Sequence, residues 1–354
     1  MLKIEVLQPP RNNLHSGGYL FNSNISKFLK NRRMGELVEL KTDDLIKYIV
    51  ESSSKRTVFV LDSIYLQSID YSQIKPLLKR KKLQIIILLH LLPSEDLVGD
   101  SFGHAKIQKL KSRELAWIKQ SNFLVIVTGK SYKQELLREG ILPSRVKVIY
   151  PGQNNFLIKA NKVIEPKKIE YPVKGITVGS LSPRKNQILL VEMLTKINPE
   201  LYKWTFIGNN KLFPEYTKRI MNLANQGKWR DSLIFSGQAQ HSKVLTSLSN
   251  SDLFVSTSVK ESYGISVAEA CSAGLPILSL NTGDFSKWVK PNHNGYLIDL
   301  EDLQEIKSKL NDVIKNLSLL TRLKDAAKKH SSEIHFSTWE ESYLEFEEVC
   351  RKIY

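Results

Sequence analysis

The sequence predicts an α/β fold built as two doubly wound domains. Short apolar runs alternate with longer mixed-charge stretches along most of the chain, the pattern of parallel strands with helices on both faces of a sheet. The alternation occurs twice, before and after a polar stretch at 156–172 that is broken by Pro166 and Pro172 and suits a linker. A chain of 354 residues is long enough for two domains of ordinary size.

In the first domain, 1–155, strands are expected at 4–7, 57–61, 83–89, 123–128 and 146–149, with helices at 24–33, 105–120 and 131–139 between them. The turn cluster Tyr150-Pro-Gly-Gln-Asn-Asn155 closes the series. The second domain, 173–334, has apolar runs at 175–178, 204–207, 232–235, 253–256 and 276–280. Its helices are expected at 187–197, 214–226, 242–248, 267–273 and 303–330. A final amphipathic, acidic helix within 335–354 is expected to join the basic first domain. Two such domains facing each other would bind ligand at the carboxyl ends of their strands, in the cleft between them.

Composition narrows the function. Hydrophobic residues at 42% and charged residues at 25% are ordinary for a soluble globular protein. The longest apolar run, 83–93, contains Gln84 and His90 and is too short to span a bilayer. The start, Met1-Leu-Lys-Ile-Glu-Val-Leu7, reads as a strand rather than a leader. Cys271 and Cys350 supply neither a disulfide framework nor a metal cluster, so a reduced, cytoplasmic protein without metal or cofactor is expected. The formal charge is +16, and residues 1–155 hold 25 Lys+Arg against 14 Asp+Glu. That excess suits an anionic membrane surface, a phosphorylated acceptor or nucleic acid, and reads equally as a solvated lysine-rich surface.

The densest motif is Glu261-Ser-Tyr-Gly-Ile-Ser-Val-Ala-Glu269-Ala-Cys-Ser-Ala-Gly274-Leu-Pro276. It lies between two apolar runs and reads as strand, glycine-bearing turn, short helix and strand, with Gly274 and Pro276 as stop signals. A helix starting after a strand aims its free N–H groups at whatever lies above the sheet, and phosphate fits there. Glu261 and Glu269 flank that start. Carboxylates beside an anion site repel phosphate, so they are expected to accept from sugar hydroxyls.

Other segments fit the same ligand. Gly179-Ser-Leu-Ser-Pro-Arg184-Lys185-Asn186 brings two cations to a strand-to-helix turn, which suits a diphosphate leaving group. A surface pair there would oppose the helix dipole. Gly208 and Gly237 follow strands and read either as ligand-side loops or as ordinary turns. Gly17-Gly18 allows close approach of backbone to a ligand, or is a flexible loop. With no G-x-G-x-x-G and no P-loop lysine, a dinucleotide or ATP site is disfavoured. His90 ends an apolar run and reads as a structural or functional histidine. His15, His104, His241 and His293 have no pairing that suggests a metal site.

Together these motifs resemble the family-four glycosyltransferases, retaining enzymes of the GT-B fold with two Rossmann-like domains. The resemblance is strongest from Gly175 to Leu297, and it rests on the Glu261-x7-Glu269 motif, the Gly179 to Asn186 segment and Asn294-Gly-Tyr-Leu297. Val148-Ile-Tyr-Pro-Gly152 and Ile334-His-Phe-Ser-Thr-Trp339 look like the family's interdomain entry and closing helix. It implies a nucleotide diphosphate sugar as donor, held at its diphosphate by Lys185 and Arg184. Glu261 would accept from the transferred hexose and Glu269 from the ribose. Tyr263, Gly264, Ile265, Ser266, Gly179, Gly208 and Gly237 would line the donor site. Gly17 and Gly18 would face donor phosphates or acceptor, and His90 the acceptor hydroxyl. Many relatives place an arginine where this chain has Ser180, and a Gly-Gly segment where it has Thr282-Gly283-Asp284.

The implied reaction is metal-independent front-face transfer with retention to a glycan, lipid-linked or small-molecule acceptor, with possible peripheral contact at the membrane inner face. Two other readings stay open. A nucleotide-sugar epimerase of similar fold needs several more acid/base residues. A nucleic-acid-binding protein rests on charge alone, without interleaved aromatics or a binding motif.

Overall fold

The computed structural model describes residues 2–10, 16–52, 57–81, 83–97, 104–119, 123–153, 168–225 and 227–353. Contacts divide the chain into two compact units, Met1–Gly152 with Ser337–Tyr354, and Gln153–Phe336. Most of the expected linker, residues 156–167, lies outside the described residues, as do Arg11 to His15.

The first unit is a six-stranded parallel sheet of β1 (Lys3–Gln8), β2 (Gly35–Glu39), β3 (Thr57–Asp62), β4 (Gln84–Leu89), β5 (Leu124–Val127) and β6 (Val146–Val148). The spatial order is β2-β1-β3-β4-β5-β6. Helices α1 (Gly17–Asn31), α2 (Thr42–Ser52), α3 (Tyr71–Lys81), α4 (His104–Lys119) and α5 (Lys130–Arg138) lie between the strands in sequence. Side chains alternate across a strand, so a sheet covered on both faces needs apolar residues at successive positions. Ile4, Val6, Val58, Val60, Ile86 and Leu88 pack on one face with Phe21, Ile25 and Leu29 of α1. Leu7, Phe59, Leu61, Ile85, Ile87 and Leu89 pack on the other with Leu45, Ile49, Trp117 and Leu136. Each fully buried side chain of this kind contributes roughly 1.5–3 kcal/mol relative to exposure.

The chain's last helix, Trp339–Lys352, belongs to this unit. Thr338 and Glu341 form a reciprocal capping box at its start. Its Tyr343 and Phe346 complete the face shared with α1, and the Ser342 hydroxyl donates to the Tyr150 carbonyl at 2.6 Å.

The second unit is also a six-stranded parallel sheet: β7 (Val173–Val178), β8 (Tyr202–Ile207), β9 (Leu233–Phe235), β10 (Leu253–Ser256), β11 (Ile277–Leu280) and β12 (Gly295–Ile298). The order is β12-β11-β10-β7-β8-β9. Its helices are α6 (Gln187–Leu194), α7 (Pro214–Ala224), α8 (His241–Ser249), α9 (Ile265–Ser272), α10 (Leu303–Lys315) and α11 (Leu317–Glu333), which makes the Trp339–Lys352 helix α12. The predicted fold class is therefore present in both units.

Several elements differ from expectation. The single helix expected at 303–330 is two, because Asn316 leaves the helical region (φ −117°, ψ 91°) and its side chain caps the second helix at Leu319 N, 3.0 Å. Strands β2 and β12 and helices α2 and α3 were not anticipated. β2 is an edge strand without a fully buried residue, and Glu36 and Glu39 interrupt its apolar pattern.

The strand order fixes where ligands fit. In the second unit the chain runs β7, β8, β9 outward, then returns to place β10 on the other side of β7. The loops leaving the carboxyl ends of β7 and β10 flank this reversal, and open α/β sheets bind ligands at such a place. In the first unit the reversal lies between β1 and β3.

Candidate functional site

At the reversal in the second unit, the loop after β7 carries Gly179 to Asn186 and the loop after β10 carries Thr257 to Gly264. A short turn, Pro183–Lys185, ends the first loop, and Ser182 caps it by accepting from Lys185 N at 3.3 Å. The two loops are bonded to each other. Thr257 Oγ1 donates to Asn186 O at 2.8 Å, Val259 N donates to Arg184 O at 2.9 Å, and Arg184 Nη1 donates to Lys260 O at 2.8 Å.

This frame brings both cations to Glu261. Lys185 Nζ bonds directly to Glu261 Oε1, and Arg184 Nη1 lies 3.2 Å from the same oxygen. Glu261 is 8% exposed. Burial alone would raise its pKa, but Lys185 and then Arg184 more than offset this and hold the carboxyl below its ordinary range. Arg184, with its second bond to Lys260 O, also clamps the two loops together.

Thr282 Oγ1 accepts from Glu261 N at 3.2 Å, and a side chain at Gly283 would stand 2.9 Å from Glu261 Cβ. The Thr282-Gly283-Asp284 segment thus buttresses Glu261 from behind.

Helix α9 begins beside this cluster. Gly264 is its N-cap at φ 77°, where a Cβ would stand 2.1 Å from the Phe285 ring. Both the left-handed backbone and the ring demand glycine. With no side-chain cap, the first-turn N–H groups of Ile265 and Ser266 lack intrahelical acceptors, the kind of helix start at which anions bind. Tyr263 is buried edge-on against Trp288, ring centroids 5.3 Å apart, so it acts through packing.

Gly179, Gly208 and Gly237 follow β7, β8 and β9 along one sheet edge. They are in close contact: Gly208 N donates to Gly237 O at 2.9 Å, and a Cβ on Gly208 would meet Gly179 O at 2.0 Å. Glu269, in the second turn of α9, is buried and bonds to His241 Nε2 at 2.6 Å.

The first unit holds a second polar cluster at its own strand reversal. Asn22 of α1 donates from Nδ2 to Gln8 Oε1 at 2.9 Å and to Asp62 Oδ2 at 2.7 Å. Those contacts orient its amide, so Oδ1 faces His90 Nε2 at 3.0 Å. His90 Nε2 must then donate, leaving Nδ1 as the basic nitrogen. Burial lowers the His90 pKa, with Asp62 opposing, so the ring is neutral near pH 7. Gly17 and Gly18 open α1 after the Ser16 cap, and a Cβ on Gly18 would meet His90 Cδ2 at 2.8 Å.

The structure therefore brings Gly179, Arg184, Lys185, Glu261, Gly264, Ile265 and Ser266 together, joins Glu269 to His241, and sets Gly18 against His90. Sequence reasoning missed His241, Thr282, Asn22 and Asp62. Asp62 had a readable signal as the polar residue that ends an apolar run at a strand's carboxyl edge. Asn22 and His241 had none, because their partners are distant in sequence. Among the described residues no group of three or more His, Cys, Asp or Glu is placed to hold a metal ion, and no helix is long and apolar enough to cross a membrane.

Residues 159–330 match the family model described as glycosyl transferases group 1. The chain is 24% identical over 230 residues to an uncharacterized glycosyltransferase of Methanocaldococcus jannaschii, covering 65% of this chain and 58% of that protein. The chain thus spans about half the length of the curated relatives it matches. Among solved structures, sucrose-phosphate synthase from Thermosynechococcus elongatus superposes with a TM-score of 0.79 at 15% identity, over 100% of this chain and 99% of that one. Anabaena HepE, solved in complex with UDP and glucose, superposes with a TM-score of 0.75 at 16% identity, over 99% and 100% of the two chains. These solved structures share the GT-B fold with this chain.

Proposed function

We propose, on the premise that the chain belongs to the glycosyl transferases group 1 family through residues 159–330, that it transfers a hexose-type sugar from a nucleotide diphosphate sugar to an acceptor hydroxyl with retention. The observation that carries this reading is the Arg184–Lys185–Glu261 cluster beside the uncapped start of α9, at the strand reversal of the second unit. Two cations and a row of amides suit a diphosphate, and a carboxylate held ionised beside them suits sugar hydroxyls.

In the proposed step the bond from the anomeric carbon to the diphosphate oxygen breaks, and its electron pair stays on the phosphate. Lys185, Arg184 and the α9 amides stabilise that developing charge. The acceptor oxygen bonds the anomeric carbon on the face the diphosphate leaves. Its proton passes to the departing phosphate oxygen. Lys185 and Arg184 supply the countercharge a metal ion would otherwise provide, so transfer is proposed to be metal-independent. The acceptor side is assigned to the first unit, where neutral His90, oriented through Nε2 by Asn22 and Asp62, offers a basic Nδ1.

UDP-, GDP- and ADP-sugars, incubated with mixed glycan and lipid-linked acceptors with and without EDTA, test the reading. At least one donor should be consumed in both conditions, with the product keeping the donor's anomeric configuration by proton NMR. An inverted product or loss of transfer with EDTA contradicts the retaining or metal-independent part. Interconversion of a donor without acceptor would favour an epimerase. Contact with anionic membrane is proposed for a lipid-linked acceptor, and failure to sediment with phosphatidylglycerol vesicles at low salt removes it.

A further inference from the structure

We propose that His241 is a positioning residue for nucleotide recognition: it holds the Glu269 carboxylate so that Glu269 selects a ribose over a deoxyribose. The proposal rests on the donor reading above, which places a nucleoside diphosphate at this site.

The geometry has three parts. His241 opens α8 and arrives from the carboxyl end of β9, whereas Glu269 belongs to α9 and arrives from the carboxyl end of β10. Two helices that start on the ligand side of the sheet thus converge on one carboxylate. The bond is 2.6 Å long, and its members are unequally covered: the Glu269 side chain is 7% exposed and the His241 side chain 35%. The pair therefore lies at the edge of the site rather than in the core, with the acid on the inner side.

The third part is the oxygen left over. His241 takes Glu269 Oε1, and Oε2 has no protein partner among the described residues. An ionised carboxylate can only accept, so His241 Nε2 carries the shared proton. The ring fixes the carboxylate plane and leaves Oε2 as one oriented acceptor. A ligand hydroxyl satisfies that oxygen, and a ligand lacking the hydroxyl leaves a poorly solvated anion unpaired. Sites built to bond a hydroxyl reject the analogue without it far more strongly than apolar pockets reject a missing methylene. Without His241 the carboxylate gains rotational freedom and draws its bonds from water, so the discrimination should fade.

Isothermal titration calorimetry tests this on the full chain. Whichever of UDP, GDP and ADP binds tightest is compared with its 2′-deoxy and 3′-deoxy forms. Wild type should favour the ribonucleotide over at least one deoxy form by on the order of tenfold. His241→Ala should lower that preference to roughly twofold or less by weakening the ribonucleotide alone. His241→Gln, whose amide N–H can reach Oε1, should restore much of it. If His241→Ala does not fold, His241→Phe keeps a ring without the N–H and answers the same question. Lys185→Ala should weaken ribo and deoxy forms alike. A preference unchanged in His241→Ala and His241→Phe, or equal weakening of both forms, overturns the proposal while leaving the donor reading intact. If none of the three diphosphates binds wild type, the donor reading falls and this proposal with it.

Discussion

Lys185 and Glu261 are bonded to each other across two loops, one leaving β7 and the other leaving β10. Thr257, Val259 and Arg184 tie the loops together on both sides of the pair. The ionised state of Glu261 depends on that arrangement, because burial opposes it and the two cations sustain it. Lys185→Ala should lower the transfer rate by about 10²–10³, or ~2.7–4 kcal/mol of barrier, as for loss of a preorganised donor. Steady-state kinetics with the active donor reads this directly, and near-normal turnover would remove Lys185 from the leaving-group role.

The same pair sets an acid dependence. The folded pKa of Glu261 lies below its ordinary 4.5. Its contribution to stability is therefore present above that value and lost as pH falls through the depressed one. In Lys185→Ala the depression shrinks, so acid unfolding followed by circular dichroism should begin at higher pH than in wild type. An unchanged acid midpoint would mean that Glu261 is sustained by other groups.

Gly264 cannot be replaced cheaply. A side chain there meets a left-handed backbone, which costs roughly 1–2 kcal/mol, and also the Phe285 ring at 2.1 Å. Gly264→Ala should lower the melting temperature and weaken diphosphate binding, since the α9 amides move with the cap. Adding Phe285→Leu should recover part of the stability but not the part due to the backbone. Strict additivity of the two substitutions would show that the ring contact is not felt.

How much of this was legible beforehand varies with the kind of residue. The two sheets were readable because strands such as β3 and β4 are buried on both faces and therefore apolar at nearly every position. β2 was hidden because an edge strand satisfies its pattern with Glu36 and Glu39. Lys185, Glu261 and Gly264 were readable because their loops are compact and their spacing is fixed. Asn22 and His241 were not, since each works through a residue brought near by the fold: Asp62 and His90 for Asn22, Glu269 for His241. The helix 303–330 was misjudged because a lone Asn316 looks tolerable in a helix until its side chain is seen capping the next one.

His90 supplies a spectroscopic prediction. Burial lowers its pKa, and Asp62, with Oδ2 3.8 Å from Nε2, partly raises it again. Asp62→Asn removes the raising effect, so the His90 ring proton titration in NMR should move to lower pH. A shift to higher pH would place a different anion beside the ring.

Glu114 gives the first unit a dependence of opposite sign. It is fully buried, accepts from Ser94 N at 2.9 Å and Ser94 Oγ at 2.5 Å, and burial raises its pKa to about 7, with Glu95 and Asp96 adding to the rise. A carboxyl whose folded pKa is raised contributes stability fully below its unfolded value and loses it as pH climbs through the folded one. Stability should fall between about pH 4.5 and 7 by up to roughly 3 kcal/mol, on about 1.36 kcal/mol per unit. Glu114→Gln should flatten that slope in denaturant titrations, and an unaltered slope would assign it elsewhere.

The central claim is that the strand reversal of the second unit binds the diphosphate of a nucleotide sugar through Lys185. Calorimetric titration of wild type and Lys185→Ala with UDP, GDP and ADP, each alone and as its glucose ester, tests it most directly. At least one nucleotide should bind wild type, and Lys185→Ala should weaken it at least about tenfold, by the scale of a charge-assisted bond. Equal binding by the two proteins, or binding of none of these ligands to wild type, would contradict it.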